Sequence, residues 1–201
     1  MHLVTRKFAT PLVALIFLVS ATASLGQSTI GIQSGKTTIR LAETFTSTVT
    51  GFGAQLGTVS PTQLQNGGVD FPITGGAIDL ATAKGQFLHS GGLTFTSGST
   101  QVRLESLIMD TTGTTPQITG LVVIDNALAG RLPLFDLKLP NGLTLPLKTT
   151  DDVLSLTDVA VTATNATAQT LSARFRVTVP ANLVVGTASV TAIPAGVPAV
   201  E

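Results

Sequence analysis

The sequence predicts an all-β protein, mainly an antiparallel β-sandwich with one or two short helices. Three observations favour this class. Threonine, whose branched Cβ suits a pleated strand, occurs 33 times in 201 residues. Apolar and polar side chains alternate with a period of two along much of the chain. Glycine, asparagine and proline interrupt these runs at short intervals, a pattern typical of two-sheet sandwiches and open barrels.

The alternation is clearest in residues 173–179, where odd positions are apolar and even positions are polar, as in a strand with one solvent-facing side. A similar run places Phe45, Ser47 and Val49 between threonines. The Asn141-Gly142 pair lies between two apolar runs and predicts a β-hairpin with a type I′ turn. Further strands are predicted, in chain order, over residues 37–41, 77–81, 93–96, 100–110, 118–124, 131–139, 143–147 and 184–191.

Two segments are predicted to be short helices. Residues 60–65 begin with a serine N-cap followed by proline, a favoured first helical residue. Residues 156–171 contain neither Gly nor Pro, and Thr157 is the predicted N-cap of a helix in that segment. The competing interpretation of this second segment is a strand, because Val159, Val161 and Ala163 also alternate.

The first 23 residues have the composition of a secretory signal peptide. Arg6 and Lys7 precede an apolar run, and Ala21-Thr22-Ala23 fits an A-x-A cleavage site. The apolar run is shorter than the roughly 20 residues that a membrane-spanning helix needs. An uncleaved N-terminal anchor is the alternative.

After the signal peptide, residues 24–193 are expected to form a single β-sandwich domain, and residues 194–201 a flexible tail rich in Pro and Ala. The chain contains no cysteine, and exported bacterial proteins often lack disulfides. We therefore expect a bacterial protein that is secreted, extracellular or associated with the cell envelope. No membrane span is expected once the signal peptide is removed.

The composition argues against most catalytic and nucleic-acid-binding functions. Eleven basic residues balance eleven acidic ones, so no basic stripe is available for phosphates. Without cysteine, and with His89 as the single histidine after residue 23, thiol catalysis and a multi-histidine zinc site lack their residues. There is no G-x-S-x-G elbow and no phosphate-binding glycine motif. The prediction is a protein that is not an enzyme, with no catalytic residues, metal or required cofactor.

A hydrolase that uses Asp70, Asp79, Asp151 or Asp152 is the weakest alternative. Glycoside hydrolysis needs two carboxyl groups roughly 5–10 Å apart across a cleft. The chain contains neither Trp nor Tyr, the side chains that combine a stacking face with a polar group.

Residues 69–93 contain a glycine-rich pattern centred on a histidine. It consists of Phe71-Pro72-Ile73-Thr74-Gly75-Gly76, a short strand, and then Gly85-Gln86-Phe87-Leu88-His89-Ser90-Gly91-Gly92-Leu93. This pattern resembles the haem-transport-associated surface domains of actinobacteria. The resemblance implies a β-rich extracellular module that captures haem, with a tyrosine on the iron and a histidine that supports it. Only the histidine has a counterpart here, His89, because the chain contains no tyrosine.

Two functions follow from these residues. The first is an exported, non-catalytic β-sandwich module that binds an envelope or extracellular protein or an apolar small molecule. The alternative is a carrier of haem or another small hydrophobic ligand that uses His89, with Phe71, Phe87 and Phe95 in its ligand site. Sheet edges with few charges also favour pairing with other strands, so self-association is a further candidate.

Overall fold

The computed structural model describes residues 29–196, which form twelve β-strands and two short α-helices. Neither helix in this range is long and apolar enough to cross a bilayer. The predicted signal peptide lies outside the described residues. The elements are β1 (Thr29–Leu41), α1 (Glu43–Gly51), β2 (Gln55–Val59), β3 (Gln63–Gln65), β4 (Gly68–Asp79), β5 (Lys84–His89), β6 (Gly92–Ser97), β7 (Thr100–Asp110), β8 (Gln117–Ile124), β9 (Ala127–Lys138), β10 (Thr149–Thr150), β11 (Val153–Ala163), α2 (Asn165–Phe175) and β12 (Val184–Pro194).

The described strands form one antiparallel sheet. Their order is β2-β6-β7-β5-β4-β1-β12-β11-β9-β8, with β3 beside β4 and β10 beside β11. An additional pairing of β7 with β8 closes the eight strands from β7 round to β8 into a barrel. The predicted all-β class, with mainly antiparallel strands and one or two short helices, is confirmed, although one of the two helices lies outside the predicted segments. The strands form a single closed sheet, whereas the predicted β-sandwich would have two separate sheets.

β7 is the strand at which the barrel branches. Its first six residues pair with β6, and residues 108–110 of the same strand pair with β5. Since β2 pairs only with β6, β2 and β6 form a two-stranded extension from the barrel wall. A bulge at Ser106, whose φ is 51°, separates the two halves of β7.

α1 occupies residues 43–51, where alternation predicted a strand, so that prediction is wrong. Phe45 and Val49 lie four residues apart and are both buried. This spacing places both side chains on one face of a helix as readily as on one face of a strand. The threonines between them tolerate the helix because their hydroxyls bond to it; for example, Thr48 Oγ1 donates to the Thr44 carbonyl at 2.7 Å.

Residues 156–171 divide between β11 and α2. The strand interpretation is right as far as Ala163, and the helix interpretation is right beyond Thr164. Thr164 is the N-cap, because its hydroxyl accepts a hydrogen bond from the Thr167 amide at 3.1 Å. Thr157, the predicted N-cap, is an exposed residue of β11 instead.

Residues 173–179 are not a strand, although their alternation is the clearest in the sequence. α2 continues to Phe175 and ends at Arg176, which adopts the left-handed conformation with φ of 55°. The Phe175 ring stacks on Phe52 at a centroid distance of 5.6 Å. The alternating apolar residues therefore lie at the end of a helix and in the loop after it, because tertiary packing overrides the strand pattern.

Residues 60–65 contain no helix, contrary to prediction. The serine and proline form a turn, and Gln63–Gln65 pair with β4 as β3. Thr62 follows the proline and donates its hydroxyl to the Ser90 carbonyl at 3.2 Å. This contact fixes the turn to the end of β5. Because β3 begins at the next residue, too few residues remain for a helix.

The hairpin predicted at Asn141-Gly142 is also absent. A turn forms there, closed by the Leu143 amide on the Pro140 carbonyl at 3.1 Å, but residues 143–147 form no strand. The Leu147 amide bonds instead to the Leu80 carbonyl at 2.7 Å. Positive φ at both central residues, the requirement of a type I′ turn, occurs at Asp125-Asn126 between β8 and β9.

Replacing the observed N-cap is expected to destabilise the protein more than replacing the predicted one. Thr164 caps α2 and also donates its hydroxyl to the Pro133 carbonyl at 2.8 Å. Thr164→Ala should therefore lower the free energy of unfolding by about 1–2 kcal/mol. Thr157→Ala, the matched control, should change it by less than about 0.5 kcal/mol. Urea unfolding of the two variants checks this, and equal losses would contradict the assignment of the cap.

Candidate functional site

His89 lies inside the barrel at the end of β5, with 7% of its surface exposed. Its Nε2 atom is 2.8 Å from Thr37 Oγ1 of β1. β4 lies between these two strands, and its Phe71 ring meets the imidazole edge-on at a centroid distance of 6.5 Å. Inward-facing side chains of β1 and β4 therefore contact the imidazole that β5 carries.

The imidazole of His89 is neutral at pH 7. Burial lowers its pKa to about 4 from the ordinary 6.5, while the backbone carbonyls of Leu107 and Phe87 act in the opposite direction. These carbonyls lie beside the ring but do not close a hydrogen bond to Nδ1, which is buried without a partner. One ring nitrogen thus bonds to Thr37, and the other is enclosed by protein.

Of the three predicted phenylalanines, Phe71 is the one whose ring meets His89. Phe71 contacts the imidazole, and Phe87 precedes it by two residues on β5 and is fully buried. Phe95 of β6 packs edge-to-face on Phe45 of α1, at a centroid distance of 6.3 Å. The structure therefore brings Phe71 to His89 and places Phe95 with α1 in the core.

Close backbone approach explains the two glycines that follow His89. Gly91 has φ of 78°, in the left-handed region that favours glycine. A Cβ at this position would lie 2.5 Å from the Val59 carbonyl oxygen and 2.8 Å from the Thr62 amide nitrogen. At Gly92 a Cβ would collide with the Leu104 carbonyl. The pair allows the turn after β5 to pass against the β2–β3 turn and against β7.

The predicted acidic residues have structural roles. Asp70 accepts hydrogen bonds from Thr38 Oγ1 at 2.5 Å and from Lys36 Nζ at 2.9 Å. Asp79 accepts from the Ala81 amide at 2.8 Å and closes a turn. The two aspartates are nine residues apart on β4, which separates them by roughly 30 Å and prevents them from facing each other across a cleft.

The remaining predicted acids, Asp151 and Asp152, lie in an exposed turn, both with positive φ. Within residues 29–196, His, Asp and Glu side chains form no cluster of three or more that could hold a metal ion.

An open apolar groove lies between α1, β2 and the turn that joins β3 to β4. Its volume is about 490 Å³, within the range of roughly 300–1,000 Å³ of small-molecule sites. Leu64 is its most prominent apolar side chain, with 48% of its surface exposed. None of the lining residues is charged, and His89 is not among them. The groove is lined by Leu41, Thr46, Val49, Thr50, Ala54, Gln55, Leu56, Leu64 and Gly67.

Sequence reasoning did not find this groove. One wall is α1, which was predicted as a strand, and another is β2, which was not predicted at all. The available signal was the spacing of Phe45 and Val49, which also fits one face of a helix. With a helix at residues 43–51, Val49 and the polar Thr46 and Thr50 could have been assigned to one surface.

Three solved structures from Corynebacterium glutamicum share this fold. The C-terminal domain of HtaA has a TM-score of 0.63 at 15% identity, with 82% of this chain and 99% of that chain covered. The N-terminal domain of HtaA has a TM-score of 0.59 at 12% identity, with 81% and 98% covered. The heme binding protein HtaB has a TM-score of 0.55 at 9% identity, with 83% and 96% covered.

Comparison with protein-family models gives no match, and comparison with curated proteins gives none either. At identities of 9–15% the structural likeness establishes the fold. The predicted remote resemblance to the haem-transport-associated domains is therefore confirmed, and the chain has the fold of the HtaA-type domains.

Proposed function

We propose that this protein is an exported, non-catalytic β-module of the bacterial cell envelope or extracellular space that binds an apolar small molecule. The observation that carries the proposal is the uncharged apolar groove between α1, β2 and the β3–β4 turn. Export is supported by the charged start, short apolar run and A-x-A site of residues 1–23.

The composition of the groove favours an uncharged ligand. Leu41, Leu56 and Leu64 offer apolar surface that a ligand would remove from water, at about 25 cal/mol for each Å² of apolar area. Thr46 and Gln55 add neutral hydrogen-bonding groups that can orient the bound molecule. A charged ligand group would lose its hydration without gaining a partner there.

The described side chains also support a role without catalysis. His89 is the residue best suited to move protons near neutral pH, but it is buried and its pKa is about 4. Asp70 and Asp79 are bonded to neighbouring groups and lie far apart on β4. A general base must reach the substrate proton in a suitable protonation state, and none of these residues meets that requirement in the described geometry.

Haem carriage is the second candidate function. It is favoured by the fold shared with the heme binding protein HtaB and by a groove of the size that small-molecule sites commonly have. The residues available to ligate a haem iron differ from those that the family resemblance implies, since the hydroxyl beside His89 belongs to Thr37 and not to a tyrosine.

A charge placed in the groove is expected to weaken apolar ligand binding strongly while leaving the fold intact. The probe is N-phenyl-1-naphthylamine, an uncharged molecule whose fluorescence rises in apolar sites. Leu64→Asp should weaken its binding at least tenfold, because a carboxylate would face the ligand without a partner.

Leu128→Asp is the matched control, since Leu128 is 65% exposed at the β8–β9 hairpin, away from the groove. It should bind the probe as the unsubstituted protein does. Absence of saturable binding, or equal losses in both variants, would contradict the proposed function.

A further inference from the structure

We infer that two copies of this chain associate by pairing their β2 strands antiparallel about a two-fold axis, so that the two sheets join edge to edge. The inference goes beyond the proposed function, because it concerns the strand edge beside the groove and depends on no ligand. It rests on the free backbone edge of β2, on the absence of groups that would obstruct pairing there, and on the absence of charge.

The outer edge of β2 presents backbone groups that another strand can bind. β2 is the end strand of the sheet and pairs only with β6. In an antiparallel pair, alternate residues direct their amide and carbonyl groups away from the partner strand. Within residues 29–196, the Val59 carbonyl is the one backbone group of β2 that bonds outside the β6 pairing, to the Thr62 amide at 3.1 Å. The other outward groups of β2 are therefore open to a further strand.

The other unpaired strand edges in the described part of the chain are short or obstructed. β3 has three residues and β10 has two. Residues 127–133 of β9 lack a strand partner on the β11 side, but they include Arg131 and Pro133. Residues 155–159 of β11, between its pairings with β10 and β9, contain a bulge in which Asp158 has φ of 59°.

Short strands, charged side chains, proline and bulges are the features by which proteins prevent pairing at a sheet edge. β2 has five residues, none of which is charged or proline, and its pairing with β6 is regular throughout. β2 is thus the one free edge of the described chain that is long enough to pair and lacks all of these features. An edge of this kind fits a partner that is itself a β-strand.

The absence of charge favours a second copy of the same chain as that partner. Around a two-fold axis the same surface of both copies meets itself, so a charge near the axis lies close to a like charge and opposes association. β2 carries no charged side chain, and neither does the lining of the groove beside it. Leu56 and the 48% exposed Leu64 also lie on this side of the molecule and can add apolar surface to the contact.

Sedimentation equilibrium of the protein that begins at Ser24 tests the inference, because this start omits the apolar run of the predicted signal peptide. The weight-average mass should rise from the monomer value towards twice that value between about 5 and 500 µM protein. Thr58→Lys and Thr58→Glu should each raise the dissociation constant of the dimer at least about fivefold, since each brings like charges together across the axis. Thr58 does not line the groove.

An equimolar mixture of Thr58→Lys and Thr58→Glu should restore the dimer, because opposite charges then lie together, and misfolded variants could not produce this rescue. Thr157→Lys, on the free stretch of β11, is the matched control and should leave the dissociation constant unchanged. A monomer at every concentration would overturn the inference. So would a dimer that Thr58→Lys does not weaken, a mixture that stays monomeric, or an equal loss in Thr157→Lys. Binding of N-phenyl-1-naphthylamine is measured separately, so failure of the proposed function is distinguishable from failure of the dimer.

Discussion

Lowering the pH from 7.5 to 4.5 is expected to reduce the free energy of unfolding by about 2–3 kcal/mol through His89. Burial lowers the pKa of the folded imidazole to about 4, whereas its ordinary value is 6.5. Between these two values the unfolded chain binds a proton that the folded chain does not. The stabilising effect of the neutral ring is therefore complete above pH 6.5 and is lost as the pH falls towards 4.

Urea unfolding followed by far-ultraviolet circular dichroism measures this dependence without aromatic fluorescence. His89→Gln is the informative variant, because its amide can still bond to Thr37 and does not titrate. Its free energy of unfolding should be nearly constant from pH 6.5 to 4.5. A slope equal to that of the unsubstituted protein would show that other groups cause the effect.

Two carboxylates with lowered pKa values do not interfere in this window. Burial acts to raise the pKa of Asp70, but hydrogen bonds from Thr38 and Lys36 bring it below its ordinary 3.8. Burial also acts to raise the pKa of Asp110, and hydrogen bonds from Thr112 and Gln86 lower it in the same way. The stability that depressed carboxylate pKa values provide is lost progressively below about pH 5, and mostly below the ordinary value of 3.8, so little of it is lost by pH 4.5.

The fold class was predictable because it depends on features repeated along the chain. Threonine abundance, alternation and short glycine-containing breaks each point to strands, and the described residues contain twelve of them. Closure of the sheet was not predictable in the same way. It depends on the pairing of β7 with β5 and β6 along one edge and with β8 along the other, and on the Ser106 bulge. A period-two pattern gives no information on which strands become neighbours.

The helices show where local patterns mislead. Phe45 and Val49 satisfy both the strand and the helix period over five residues, and the threonines between them favoured the strand. The helix forms because both side chains pack inward, and Phe45 also contacts the Phe95 ring. Short segments of this kind are determined by tertiary contacts more than by propensity.

The candidate site was predictable only where its residues are close in sequence. Phe71 and His89 lie on strands that pair directly, with Ile73 opposite His89, and both belong to the segment 69–93, which the sequence distinguishes by its resemblance to the haem-transport-associated domains. Thr37 is 52 residues from His89, and no sequence signal connects them. The groove likewise combines three chain segments that only the closed sheet brings together.

Substitution of Gly91 by alanine is expected to reduce the free energy of unfolding by at least about 3 kcal/mol. The residue has φ of 78°, and an added Cβ would meet backbone atoms of Val59 and Thr62, as well as the Thr62 hydroxyl. Gly98→Ala is the matched control, because Gly98 has φ of 59° with no atom within 4 Å of an added Cβ. The control should lose only about 1 kcal/mol, the cost of a left-handed alanine.

The same pair of variants shows whether Gly91 is needed for packing of the turn after His89 or for ligand binding. If Gly91 serves packing, the folded fraction of Gly91→Ala should bind N-phenyl-1-naphthylamine with unchanged affinity, since Gly91 does not line the groove. The affinity is measured at 10 °C. Circular dichroism gives the folded fraction, so that the affinity can be expressed per folded molecule. If the two substitutions destabilise the protein equally, backbone strain in the left-handed region accounts for the whole loss at Gly91. The neighbouring atoms of Val59 and Thr62 would then move to accommodate the added Cβ. A greater loss at Gly91 without loss of affinity would instead show that Gly91 holds the turn after β5 against the β2–β3 turn, whatever ligand the protein binds.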